Sequence, residues 1–119
     1  MVLDLSVNVR KEESIPVVDV VGEIDVYTYP RLSETLNELL EDDAQNIVLN
    51  LEEVRYIDST GLGVIANGAN KLARKSGYVH IINANPQVKK IFEVSGLDKA
   101  NFKIYEKGKF VISDVSGGS

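Results

Sequence analysis

Asp58-Ser59-Thr60 places three oxygen-bearing side chains in a row, and Gly61-Leu62-Gly63 follows at once. A helical pattern begins at Leu62, so these residues stand where a strand and loop pass into a helix. Backbone N–H groups in the first turn of a helix have no partner within it, and their partial positive charge suits an anion. A hydroxyl at that point can accept a phosphoryl group, which the N–H groups then support. The plainer role is capping. Asp, Ser and Thr are all favoured caps, and Ser59 or Thr60 sits where an N-cap belongs. Three such residues in a row, then two glycines, exceed what one cap requires. A second polar group, Gly22-Glu23-Ile24-Asp25, closes another apolar run. Glu23 and Asp25 either open a polar loop or form an acidic rim around the serine. As a Mg2+ site the pair is weak without a phosphate nearby.

Other chemistries fail on particular residues. Gly61-Leu62-Gly63-Val64-Ile65-Ala66 satisfies a loose dinucleotide pattern. The next apolar run, however, ends in Ile82-Asn83-Ala84-Asn85, with no acid to hold a ribose. No G-x-x-x-x-G-K-[ST] phosphate loop is present. Asp58-Ser59-Thr60-Gly61 differs by an inserted residue from the Asp-Thr-Gly of aspartic proteases, and it has no second copy. Ser59 is not framed as G-x-S-x-G, and the single histidine, His80, falls inside a predicted strand as a satisfied strand residue. There is no cysteine, which removes disulfides, thiolate chemistry and cysteine-ligated zinc. These residues offer no catalytic set and no resident metal or cofactor. Tyr27, Tyr29 and Tyr56 flank the two polar groups and read as interface-forming or half-buried side chains.

The elements that must position these residues follow from periodicity. Leu3–Val9 alternates apolar and polar, and Ile15–Val21 is a β-branched run, so the two predict a hairpin across Lys11-Glu12-Glu13-Ser14. Pro30 opens a helix with Leu32, Leu36, Leu39 and Leu40 on one face, fading at Glu41-Asp42-Asp43. Asn46–Leu51 predicts a short strand buried on both faces, with a loop from there to Asp58. Leu62, Ile65, Ala66, Ala69, Leu72 and Ala73 predict a helix that packs closely and is capped by Gly77. Tyr78–Ile82 is a strand, Asn85-Pro86 opens a short helix ended by Gly96, and Phe102–Tyr105 is the last strand. Phe110-Val111-Ile112 fits strand and helix equally. The order β-β-α-β-α-β-α-β implies right-handed crossovers and an α/β fold with a mostly parallel central sheet, to which the N-terminal strands add a mixed edge.

The 119 residues suit one domain, 1–119, with its core at about 3–106 and a mobile tail at 113–119. The 44% hydrophobic and 26% charged composition is that of a folded globular chain. Thirteen Lys and Arg stand against 18 Asp and Glu, for a net charge of −5. That balance argues against nucleic acid and anionic membrane as partners. No apolar run approaches the roughly 18 residues of a membrane span, and Met1-Val2-Leu3-Asp4 lacks a signal-peptide pattern. A cytoplasmic monomer is the expectation.

Gly22-Glu23-Ile24-Asp25 and Asp58-Ser59-Thr60-Gly61-Leu62-Gly63, with their spacing and element order, resemble the small anti-sigma-factor antagonists of the STAS family over about residues 3–106. The resemblance implies a mixed, mostly parallel sheet of four or five strands with helices mainly on one side. It implies a binding switch that is not an enzyme. Such a protein binds an anti-sigma factor that is also a serine kinase, and so frees a sigma factor. It is released when the kinase phosphorylates Ser59, and a phosphatase resets it. The resemblance puts Glu23, Asp25, Asp58, Thr60, Gly61 and Gly63 on the partner surface. ATP and Mg2+ would come with the kinase. The alternative implied by the same fold is a signalling or scaffold module that binds a nucleotide or lipid.

Overall fold

The computed structural model describes residues 5–96 and 102–116. Strands β1 (Ser6–Glu12) and β2 (Ile15–Ile24) form an antiparallel hairpin turned at Glu13 and Ser14. Helix α1 (Tyr29–Glu41), β3 (Ile47–Ile57), α2 (Ser59–Ala73), β4 (Val79–Ile82), α3 (Pro86–Val94), β5 (Phe102–Ile104) and α4 (Ser113–Ser116) follow. The five strands lie in sequence order, and β2, β3, β4 and β5 run parallel. This is the mixed, mostly parallel sheet that the element order predicts. Leu3 and Asp4 of the expected first strand and residues 117–119 of the expected tail lie outside the described residues.

One face of the sheet carries the main core. Val18, Val20 and Ile24 of β2, Ile47, Leu49 and Leu51 of β3, and Val79 and Ile81 of β4 are all buried there. They pack with Leu32 and Leu36 of α1, Ile65, Ala69 and Leu72 of α2, and Val88 and Phe92 of α3. The apolar stripes of the three crossover helices thus share one side. On the other face Val17, Val48 and Ile82 meet Tyr105, Phe110 and Ile112. Phe110–Ile112 is neither strand nor helix. It is a cover for that face, and α4 follows it with Val115 buried.

Three expectations need correction. Lys11 and Glu12, expected in the connection between the first two strands, belong to β1 and pair with Pro16 and Ile15, so the turn is Glu13 and Ser14 alone. The strand expected over 46–51 continues to Ile57, where a loop was anticipated. Beyond Leu51 its buried residues are Val54 and Ile57, a spacing of three that hides the strand's period of two. The cause is an extra residue in β3 at each of two points in its pairing with β2, one between Asp19 and Val21 and one between Gly22 and Glu23. Such irregularities re-aim side chains, and Gly22 takes a φ of 121° that a side chain would resist. Gly77 is not the cap of α2 in the expected sense, because Ser76 holds the left-handed position, with φ 62°. A Cβ on Gly77 would lie 1.6 Å from the Gln45 carbonyl oxygen, so that glycine permits a backbone approach.

His80 is buried in β4 and satisfied, as expected. Its Nδ1 lies 2.8 Å from the Tyr105 hydroxyl and its Nε2 lies 3.0 Å from Asn46 Oδ1. The Tyr78 N–H also donates to that amide oxygen. These partners select a neutral ring with the proton on Nε2, the Tyr105 hydroxyl donating to Nδ1. Burial, with a smaller contribution from the Lys103 ammonium, pushes the imidazole pKa down to about 4.

Candidate functional site

The parallel strands β2 and β3 end side by side, with Ile24 opposite Ile57. One residue further on, Asp25 and Asp58 leave the same edge of the sheet, as the topology required. The Asp58 N–H donates to the Ile24 carbonyl at 3.0 Å, which ties the two departing chains together. This is the edge beyond the carboxyl ends of the strands, where α/β sheets hold their ligands.

Asp58 is the N-cap of α2. Its Oδ1 accepts from the Gly61 N–H at 3.0 Å, and its carbonyl accepts from Leu62 N–H at 3.0 Å. The expectation that Ser59 or Thr60 would cap the helix is therefore wrong by one or two residues. A carboxylate does the job from extended backbone, as caps require. Ser59 becomes the first helical residue, and its side chain is exposed. Thr60 is half-buried.

Gly61 explains how the helix can start so close to the strands. A Cβ there would stand 2.6 Å from Ile24 Cγ2, 2.8 Å from Ile57 Cγ1 and 3.1 Å from the Ile24 carbonyl oxygen. Gly63, two residues on, is exposed, and a Cβ there would meet nothing within 4 Å. The two glycines of the motif therefore have different causes. Only the first is required by packing within the chain.

Asp25 organises the loop from β2 to α1. Its Oδ1 accepts from the N–H groups of Tyr27 (2.9 Å) and Thr28 (3.0 Å). Its carbonyl accepts from Tyr29 N–H at 2.9 Å. Thr28 is buried; its hydroxyl donates to the Glu23 carbonyl at 2.7 Å and accepts from the Asp25 N–H at 3.0 Å. Glu23 is not a bare carboxylate either, since Arg55 on β3 stands 3.7 Å from it. The rim is acidic in sum but not purely acidic. Glu23, Asp25 and Asp58 share it with one guanidinium.

A separate hollow of about 630 Å3 lies at the opposite end of the sheet, lined by Ser14, Asp42, Gln45, Asn46, Tyr78 and His80 among others. None of the rim residues lines it. Among the described residues, no three His, Asp or Glu side chains are grouped to hold a metal ion. Nor is any helix long and apolar enough to cross a membrane.

The family model of the STAS domain matches residues 6–109. The chain belongs to the STAS family. Curated relatives from Staphylococcus aureus and Bacillus subtilis, each named an anti-sigma-B factor antagonist, are 34% identical over 95 residues. The match covers 80% of this chain and 88% and 86% of theirs, respectively. The crystal structure of an anti-sigma factor antagonist from Mycobacterium paratuberculosis superimposes with a TM-score of 0.79 at 26% identity. That superposition covers 95% of this chain and 92% of the other. The STAS fold thus accounts for the sheet order and for the shared edge of the two motifs.

The structure brings Glu23, Asp25, Asp58, Ser59, Thr60 and Gly61 to that one edge, and Gly63 one turn along α2 from Ser59. Sequence reasoning missed two things about it. Arg55 was invisible because the segment carrying it was read as loop. The exposure of Tyr27 was open, because an aromatic beside a loop suits packing as well as contact.

Proposed function

We propose that this chain is an anti-sigma-factor antagonist switched by phosphorylation of Ser59. It binds an anti-sigma factor that is also a serine kinase and thereby frees a sigma factor. The observation that carries the reading is the division of labour at α2. Asp58 supplies the cap, so the Ser59 hydroxyl is exposed and the fold does not need it. The relatives' shared name supports the same role.

The chemistry asked of the chain is modest. The Ser59 oxygen attacks the γ-phosphorus of ATP held with Mg2+ by the partner. An O–P bond forms, the bond to the ADP oxygen breaks, and the hydroxyl proton passes to a base on the kinase. The chain contributes position only; it is a substrate and not an enzyme. The product adds about −1.5 to −2 charges at neutral pH. Set at a helix N-terminus, the new phosphate leaves the fold intact. At the interface the effect is opposite. A partner surface fitted to a hydroxyl must strip water from a dianion beside Asp25 and Asp58, and a net penalty of about 3 kcal/mol weakens binding roughly a hundredfold. A phosphatase that removes the group restores binding.

The role calls for a cytoplasmic protein with no cofactor of its own. Binding of Ser59→Ala and Ser59→Asp to a purified anti-sigma kinase tests it. The alanine variant should bind and take no phosphate. The aspartate variant should bind more weakly, though less so than the phosphoprotein, because it adds one charge only. Equal affinity for wild type, Ser59→Asp and phosphoprotein would defeat the proposal.

A further inference from the structure

Tyr27 is 87% exposed, in a loop whose backbone is tied by the side chains of Asp25 and Thr28. A large aromatic left in water has no stabilising part in its own fold. The loop is nevertheless built to present it. The Tyr27 N–H is fixed to Asp25 Oδ1, the next residue is the buried Thr28, and Thr28 is bonded to Glu23 and Asp25. Val26, 54% exposed, precedes it, and Tyr56, 48% exposed, lies opposite Glu23 in the register of β2 and β3. Three exposed apolar side chains therefore sit along the edge that carries Ser59.

We propose that Tyr27, with Val26 next to it in the loop and Tyr56 at the end of β3, is the apolar anchor by which this edge grips the anti-sigma kinase. The inference rests on the Ser59 reading and deepens it. The edge joins the Ser59 surface without a break, because Asp58 is bonded to the Ile24 carbonyl immediately before the loop. An aromatic on a pre-ordered backbone loses little conformational freedom on binding, which is how interface anchors concentrate affinity. Its setting defines the partner's chemistry. The side chain projects from a loop nucleated by a carboxylate, on a chain of net charge −5. The matching surface is an apolar socket on the kinase, flanked by Lys or Arg. On this arrangement affinity and switching are separable. Tyr27 supplies contact in both states, whereas Ser59 reports the phosphate.

The test is the affinity of purified anti-sigma kinase for wild type, Tyr27→Ala, Tyr27→Phe and Ser59→Asp, with thermal melting of each. Tyr27→Ala should melt with the wild type and bind at least tenfold more weakly. Tyr27→Phe should bind within about threefold of wild type, because the ring carries the contact. Unchanged affinity for Tyr27→Ala, while Ser59→Asp still weakens binding, would overturn the anchor and leave the switch standing. Failure of Ser59→Asp to weaken binding would instead strike the underlying reading. If the wild type self-associates by sedimentation and Tyr27→Ala abolishes only that, the occupant is a second copy and the proposal is wrong.

Discussion

Gly61→Ala and Gly63→Ala should shift stability in opposite directions, though they place the same methyl two residues apart on one helix. At Gly63 the new Cβ meets nothing within 4 Å. Replacing an exposed helical glycine then gains about 0.5–1 kcal/mol. At Gly61 the Cβ falls 2.6 and 2.8 Å from carbons of Ile24 and Ile57, both fully buried. Ile24 cannot withdraw easily, because its carbonyl accepts from the Asp58 N–H. Overpacking of this kind costs about 1–3 kcal/mol, against which the helix gain offsets no more than about 1 kcal/mol. The two variants should therefore differ by roughly 2 kcal/mol. Urea unfolding followed by circular dichroism reads this as a midpoint gap of about 1 M or more. The same strain pushes the first turn of α2 off the strand ends, so Gly61→Ala should also slow phosphorylation of Ser59. Gly63→Ala should stay folded and weaken partner binding, since its methyl projects from the surface proposed to meet the kinase. Equal midpoints for the two variants would refute the claim that close packing at Gly61 sets the position of Ser59.

Asp58→Asn keeps an acceptor for the Gly61 N–H and should stay within about 0.5 kcal/mol of wild type, while Asp58→Ala should lose about 1 kcal/mol by denaturant titration. If the Asp58 charge guides the kinase, Asp58→Asn should still change affinity and phosphorylation rate, an effect that shrinks with salt if it is long-range steering. Asp25→Asn likewise preserves the acceptor for Tyr27 and Thr28 and should leave the fold stable, whereas Asp25→Ala should loosen the loop, seen as faster amide exchange at Tyr27 and Thr28. For His80 the folded pKa of about 4 lies below the ordinary 6.5. The unfolded chain therefore binds more protons between those values, and stability falls as pH drops from about 6.5 to 4, by up to ~3 kcal/mol. His80→Gln should flatten that part of the pH–stability curve, and an unchanged slope would show that His80 is not the group responsible.

Much of this fold is written in periodicity. The leucine stripe of α1, the β-branched run of β2 and the Asn85-Pro86 start of α3 each report a local preference that the tertiary structure keeps. Asn85 does cap α3, accepting from the Val88 N–H at 2.8 Å. What escaped reading is what local pattern does not encode. The far half of β3 is disguised because extra residues in its pairing with β2 reset its burial spacing. Gly77 is explained only by Gln45, more than thirty residues away in the chain. The cap of α2 was misplaced because Asp58, Ser59 and Thr60 are each good caps, and only the backbone decides among them. At the site, the joining of the two motifs was legible from parallel topology. The loop-building work of Asp25 and the pairing of Glu23 with Arg55 were not, since both depend on which way side chains turn.

If one hydroxyl controls partner binding, a single affinity comparison reveals it. The protein is phosphorylated to completion by its anti-sigma kinase and ATP, the modified residue is located by peptide mass spectrometry, and the purified phosphoprotein is titrated against fresh kinase beside the unmodified protein. Phosphate is expected on Ser59 alone, with binding weakened about a hundredfold and an unchanged melting transition. Phosphate on Thr60 or elsewhere with Ser59 bare, or phospho-Ser59 protein that binds as tightly as the unmodified form, would contradict that expectation.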